Sequence, residues 1–428
     1  MEMARFKTSL CGLRKDGYMW SFARELRKAI RCGQHNSGSQ IPFSEKIVRT
    51  NLRRCVVNAM HFRETHRDDN ARCGTLQTAH GEIATPIFMP VGTRASVKTV
   101  SPHELHSVEA SIILGNTYHL NLRPGMEIID AAGGLHRFMN WTRPILTDSG
   151  GYQVFSLAKL RKVTEDGVQF RSHIDGSSLF LGPCEAMDIQ RRLGSDIAMV
   201  FDECPPYPSP EPTVSKSVDR TLRWAATCRE QARAEGQLIF GIGQGGGYRE
   251  LRERCMVSLG KLDFDGYAIG GLSVGEPEDR MYEILDWTVP VMPTGKARYL
   301  MGVGTPPQLV EAVARGVDMF DCVLPTRVAR NGSAYTSSGM MQAKAGRLKA
   351  DFRPIEEGCE CYTCTHFTRA YVRHLLNVGE ILGLRLVTLH NLHFYLRLMR
   401  NIRSHIRAGT FAEFRADFHR KYQPPKKP

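Results

Sequence analysis

The chain has 428 residues, with 57 Lys and Arg against 44 Asp and Glu, a net charge of +13. With 42% apolar and 24% charged residues it is neither a disordered chain nor a low-complexity fibre. It also lacks the ~18-residue apolar run of a membrane helix, and its positive balance favours an anionic partner, nucleic acid foremost. The length permits two or three domains, or one large α/β domain with additions.

The charge is unevenly divided. Residues 1–59 hold 12 Lys and Arg against 4 Asp and Glu, and residues 391–428 hold 9 against 2. The stretch 60–390 holds 36 against 38, so the middle of the chain is nearly neutral. The C-terminal block is therefore the better candidate for gripping phosphates. The N-terminal 1–59 reads as a basic extension, with a possible amphipathic helix over Trp20–Cys32. A solvated tail, an organellar transit peptide, or translation starting at Met60 would each account for it.

From about residue 75, short β-rich runs end in Gly, Asp or polar residues, and helical stretches follow most of them. The runs are 87–92, 112–116, 145–148, 197–202, 238–243, 267–271, 298–302 and 317–322. Their apolar content is almost continuous, as in parallel strands buried on both faces. Ser101-Pro-His-Glu104 and Thr305-Pro-Pro-Gln308 read as capping boxes, and Gly194 and Gly316 as helix stops. Eight strand–helix units predict a (β/α)8 barrel over residues 60–355, with a doubly wound open sheet as the alternative. A barrel puts catalytic groups at the C-terminal strand ends, where Asp148, Asp202, Gln244 and Asp321 fall.

Of the 12 cysteines, 9 are scattered singly, against a disulfide scaffold. Cys359, Cys361 and Cys364 cluster, and His390 follows a helical stretch later. Three thiolates and an imidazole make a closed tetrahedral set suited to one structural zinc ion, in a subdomain over 356–395. Spacing alone leaves His366, His374 and His393 as rivals to His390, and free thiols or an iron–sulfur cluster as rivals to zinc. Residues 396–428 are expected to form a basic helical segment packing on the barrel.

Asp148 in Asp-Ser-Gly-Gly-Tyr152 could be a turn cap, but Asp202 and Asp321 also end strands. Three carboxylates at one barrel mouth suit nucleophilic and acid–base chemistry. Cys204 and Cys322 read as buried structural thiols. Gly241-x-Gly243-x-x-Gly246 matches the dinucleotide fingerprint only formally, since no Rossmann unit opens the chain. A dehydrogenase therefore remains a distant alternative. Gly270-Gly271 and Gly275 read as backbone brought close to a flat ligand.

Ordered motifs run from about Met60 to about Tyr422. They are Leu146-Thr-Asp-Ser-Gly-Gly-Tyr-Gln-Val154, Phe201-Asp-Glu-Cys204, Gly241-Ile-Gly-Gln-Gly245, Ala268-Ile-Gly-Gly-Leu-Ser-Val-Gly-Glu276, Tyr299-Leu-Met-Gly-Val-Gly304 and Phe320-Asp-Cys-Val-Leu-Pro-Thr-Arg327. With the zinc set, they make the chain resemble the tRNA-guanine transglycosylases, bacterial type. The resemblance implies a barrel with a late zinc insertion and exchange of guanine 34 in tRNAs for aspartate, asparagine, histidine and tyrosine. The incoming base would be 7-aminomethyl-7-deazaguanine (preQ1), a step of queuosine biosynthesis.

Asp321 would attack ribose C1′ and Asp148 would deprotonate the incoming base. Ser149, Gly150, Gly151, Asp202, Gln244, Gly271, Leu272 and Glu276 would surround the base, with Tyr152 and Met301 sandwiching it. Val274, where queuine-using relatives carry glycine, implies the smaller base. Contacts to tRNA would come from Gly302, Val303, Gly304, Thr305, Pro306, Pro307 and Gln308, and from Thr326, Arg327, Val328, Ala329 and Arg330. Phe138, Phe367, Tyr371 and His374 resemble a homodimer interface, and the location implied is cytoplasmic. A non-catalytic zinc-containing RNA-binding subunit is the alternative that both Asp148 and Asp321 oppose.

Overall fold

The computed structural model describes residues 61–157 and 161–423. The expected basic extension 1–59 and its helix over Trp20–Cys32 lie outside the described residues. All eight expected strands form, as Ile87–Pro90, Ile113–Asn116, Ile145–Asp148, Ile197–Met199, Leu238–Gly243, Gly266–Ile269, Ala297–Leu300 and Met319–Cys322. Every neighbouring pair is parallel. The eighth strand pairs with the first, and the bridge between Val91 and Leu114 joins first to second, so the sheet closes into a barrel. Nearly every strand residue is buried, which explains why the apolar runs were continuous.

Several runs overshoot their strands. The fourth ends at Met199 and not at residue 202, although the Val200 N–H still donates to Phe240 O at 3.0 Å. The chain thus remains extended while leaving the ladder, and Asp202 sits on the loop beyond it. Both capping boxes form. Gly194 caps its helix in the left-handed conformation, and Gly316 follows the cap at Arg315 with φ +92°.

Three antiparallel pieces decorate the barrel. Phe62–Asp68, Ala71–Thr78 and Gly81–Thr85 form a meander before the first strand. Arg161–Val163, Val168–Arg171 and Ser178–Leu181 form another after the third. A hairpin of Ser333–Thr336 and Gly339–Gln342 follows the eighth. Beyond it come helices Tyr362–His366 and Arg369–Val378, then a 28-residue helix, Ile381–Ala408. The boundary expected near residue 395 falls inside this helix, whose buried residues join both the barrel core and a smaller cluster around Ile355 and Val372. Among the described residues no helix is long and apolar enough to cross a membrane.

Candidate active site and metal centre

Asp148 ends the third strand, in register with Asn116 at the end of the second. That pairing brings the Asn116 amide to donate to Asp148 Oδ2 at 2.6 Å, while the Thr117 N–H donates to Oδ1 at 3.2 Å. No cation joins them among the described residues. Burial, with Asp321 adding to it, pushes the Asp148 carboxyl up to about 7. Asp321 ends the eighth strand. The Tyr299 hydroxyl from the seventh strand donates to Asp321 Oδ1 at 2.6 Å, and the Gly302 N–H donates to the same oxygen at 2.8 Å. Oδ2 accepts no hydrogen bond among the described residues. Burial raises this carboxyl too, against the two donors that lower it.

Asp202 is buried beside Gln244, whose Nε2 donates to Asp202 Oδ2 at 2.6 Å. Burial pushes Asp202 up to about 6. Gln244 is only 1% exposed and its Oε1 has no partner, an acceptor held out of water without a donor. The packing here tolerates no side chain: a Cβ at Gly270 would stand 2.6 Å from Gln244 Nε2, and one at Gly151 2.8 Å from the Asp202 carbonyl. A cavity of about 180 Å³ adjoins these groups, lined by Gln244, Gly271, Val274 and the Pro205–Ser209 loop. At one wall Glu276 accepts the N–H groups of Ser273 and Val274. The Ser273 N–H belongs to the same peptide as the Leu272 carbonyl, so Glu276 fixes that carbonyl's direction. Tyr152 opens the helix after Asp148 with half its surface exposed, and Met301 is partly buried.

The loop Gly302–Gln308 is tied to Asp321 through the Gly302 N–H and to the long C-terminal helix through Tyr395, whose hydroxyl donates to Gly304 O at 2.6 Å. Thr326 and Ala329 of helix Leu324–Arg330 are buried, and Arg330 folds back onto the Thr326 carbonyl. Arg327 is exposed and makes no ion pair among the described residues.

Five of the C-terminal cations have acidic neighbours. Arg397 pairs with Glu356, Arg400 with Glu109, Arg415 with Glu311, and Arg420 and Lys421 with Asp417. Arg403 donates to the Pro86 carbonyl. Several of these pairs lie at the surface, with Arg420 and Lys421 mostly exposed. Pairing across distant segments leaves no mark in local composition.

Cys359, Cys361, Cys364 and His390 come together, with His390 Nδ1 at 3.9, 3.5 and 3.3 Å from the three sulfurs. Zinc bonds of about 2.3 Å to sulfur and 2.0–2.1 Å to nitrogen at tetrahedral angles imply separations of about 3.5 Å, so the set fits that ion. His390 Nε2 donates to the Tyr335 carbonyl at 2.7 Å, which leaves Nδ1 unprotonated toward the sulfurs. His366, the nearest rival, instead bonds Thr365 and Tyr362 within its own turn.

Reading along the chain missed Asn116 and Tyr299, the residues that anchor the two strand-end carboxylates. Strand register was the signal for Asn116. Tyr299 stood within a quoted motif, but nothing local marked its hydroxyl as the anchor of Asp321.

Paired carboxylates at a barrel mouth, one held by a single oxygen and both without a cation, are the equipment of an enzyme that transfers glycosyl groups. The family model for queuine tRNA-ribosyltransferase matches residues 68–424. A queuine tRNA-ribosyltransferase of Pelotomaculum thermopropionicum is 57% identical over 367 residues, covering 85% of this chain and 99% of the relative. One from Bacillus subtilis is 56% identical over 357 residues, covering 83% and 94%. The chain belongs to the queuine tRNA-ribosyltransferase family.

Proposed function

We propose that the protein exchanges guanine 34 in the anticodon of tRNAs for aspartate, asparagine, histidine and tyrosine for preQ1, through a covalent bond between Asp321 and ribose C1′. The observation that carries this reading is the one-sided anchoring of Asp321. Both donors occupy Oδ1, so Oδ2 is the oxygen free to attack. Its attack on an oxocarbenium-like C1′ releases guanine, and Asp148 takes a ring proton from the incoming base so that this base attacks C1′ in turn. Two displacements at one carbon give net retention.

Guanine presents a carbonyl acceptor beside ring and amino N–H donors. The Asp202 carboxylate matches the donors, while the Gln244 amide and the Gly271 N–H match the carbonyl. The Leu272 carbonyl held by Glu276 suits the aminomethyl group of preQ1. Tyr152 and Met301 cover the ring faces. Val274 narrows the pocket where glycine would admit a bulkier substituent. Ser149 to Gly151 form the backbone turn beneath the base.

The loop Gly302–Gln308 and Arg327, with Arg330 behind it, face the RNA near the reacting nucleotide, a splayed single-stranded base. The Cys359–Cys361–Cys364–His390 set holds one zinc ion, which supplies structure. The exposed aromatics Phe138, Tyr362 and Tyr371, with Phe367 and His374, form the contact between two copies. The location is the cytoplasm.

The test is incubation of the full chain with tRNA and labelled preQ1 or queuine. PreQ1 exchange, lost from tRNAs lacking guanine 34, is expected, and no exchange of either base sinks the proposal. Equal exchange of queuine removes the role given to Val274.

A further inference from the structure

Arg252 is a fully buried cation, 1% exposed, in the first turn of helix Arg249–Gly260. Its hydrogen bonds go to carbonyls and none goes to a carboxylate. Nε donates to Gly246 O at 2.8 Å, Nη1 to Gly270 O at 2.6 Å and Gly243 O at 3.5 Å, and Nη2 to Gly271 O at 3.1 Å. The four carbonyls belong to Gly243, which ends the fifth strand, and to the glycine segments that follow the fifth and sixth strands. Burial lowers the guanidinium only to about 10, so it is charged at neutral pH. No carboxylate touches this buried cation among the described residues, and Glu276 acts on it only through space. Such a cation is costly, and the positive end of a helix makes this position worse.

The carbonyl it holds most closely, Gly270 O, shares a peptide unit with the Gly271 N–H. That N–H has no partner among the described residues, and Gly271 lines the cavity beside Gln244.

We propose that Arg252 is a positioning residue that fixes and polarises the Gly270–Gly271 peptide, so that the Gly271 N–H holds negative charge on the departing base. This deepens the base-exchange reading and rests on it. When Asp321 Oδ2 forms its bond to C1′, the C1′–N9 bond breaks and its electron pair moves to N9. That charge spreads through the purine to the carbonyl oxygen at C6, until the guanine anion takes a proton from solvent water and leaves. The hydroxide formed is neutralised by the proton that Asp148 later takes from the incoming base. The Gly271 N–H meets that oxygen, and the guanidinium behind the peptide deepens its positive end. The cation, which no carboxylate contacts directly, thereby acts through the peptide on charge that develops only in the transition state.

The test uses the full chain, Arg252→Met and Arg252→Lys, with anticodon stem-loops carrying guanine or 8-azaguanine at the exchanged position. Single-turnover formation of the covalent enzyme–RNA adduct is measured. With guanine leaving, Arg252→Met should slow adduct formation about 100-fold or more, with RNA affinity within about twofold of wild type. Arg252→Lys should recover about tenfold of that loss. The triazole-fused 8-azaguanine leaves as a more stable anion, so the loss should shrink to below about tenfold. Equal losses with both leaving groups, or a loss confined to RNA affinity, would overturn the proposal and indicate a structural role.

If neither variant melts cooperatively, wild-type affinity decides. 8-Azaguanine should bind more tightly as it ionises with rising pH, and a flat profile overturns the proposal. Absence of any adduct or exchange with wild type overturns both this inference and the base-exchange reading, whereas normal wild-type exchange with unaffected variants removes only this one.

Discussion

The two ends of the barrel treat buried carboxylates in opposite ways. At the N-terminal end Asp318 receives Arg72 on both oxygens, at 3.0 and 2.6 Å, together with the Arg298 N–H at 2.7 Å. Asp196 likewise takes His80 and His136 on opposite oxygens, with the backbone N–H groups of His80 and Ile145. Burial opposes ionisation of Asp196, yet those donors hold it at about 2. Asp318 is still raised by burial despite Arg72, so the ends differ in the partners they supply and not in direction at every carboxyl. At the C-terminal end Asp148, Asp202 and Asp321 are raised with only neutral donors among the described residues. One end ties Asp318 to a guanidinium and Asp196 to two imidazoles. The other surrounds its carboxyls with neutral donors, the setting in which the proposed acid–base and nucleophilic roles require them.

The contrast breaks most sharply at Asp321. Asp321→Asn should lower base exchange by about 10⁴-fold and abolish the covalent adduct on a denaturing gel, while melting no lower than wild type. Exchange near the wild-type rate would remove the nucleophile assignment. At the opposite end, Arg72→Met leaves Asp318 buried and unpaired. A loss of about 3–5 kcal/mol in denaturant unfolding is expected, with exchange per folded molecule unchanged within about twofold. A smaller stability loss with impaired exchange would show that the two ends are not separable.

Asp148→Asn tests the cost of the mouth. It should abolish preQ1 incorporation and yet raise the melting temperature at pH 8 by about 2–4 °C. The smallest effect is on the pH dependence of stability. Asp148 and Asp202 hold their protons more tightly folded than unfolded. Their contribution is therefore complete below about 4, the unfolded carboxylate range, and is lost as pH rises through about 6 and 7. Asp196 has the opposite sign: its contribution is present above the unfolded range and lost as pH falls toward about 2. Melting measured from pH 5 to 8 should slope downward in wild type, and Asp148→Asn/Asp202→Asn should flatten it. An unchanged slope would mean that the mouth carboxylates are ionised throughout. The catalytic counterpart is a kcat/KM for exchange that rises with pH through about 7 as Asp148 loses its proton.

The barrel was legible because a strand buried on both faces needs an unbroken apolar run, and eight such runs are spaced by helix signals. The strand-end carboxylates were legible for the same reason, since three of the runs, 145–148, 197–202 and 317–322, end on or beside one. The meander Phe62–Thr85 was not. Phe62–Asp68 has only Phe62 fully buried, so it offers neither a run nor a clean alternation. The partners of the carboxylates were hidden for another reason. Arg72 and Asp318 lie 246 residues apart, and only closure of the barrel brings them together. The metal set was legible in its three cysteines, while the choice of His390 needed the Tyr335 carbonyl to orient the ring.

The long helix Ile381–Ala408 has a consequence for the order in which the molecule becomes competent. It carries the metal ligand His390 and, little more than a turn later, Tyr395, which holds the Gly304 carbonyl. Two residues back, Gly302 holds Asp321. During synthesis Asp321 emerges from the ribosome well before the helix that steadies its loop. A nascent chain therefore carries Asp148, Asp202 and Asp321 before Tyr395 is there to hold the Gly304 carbonyl. The setting of Asp321 is thus completed by one of the last segments to be made.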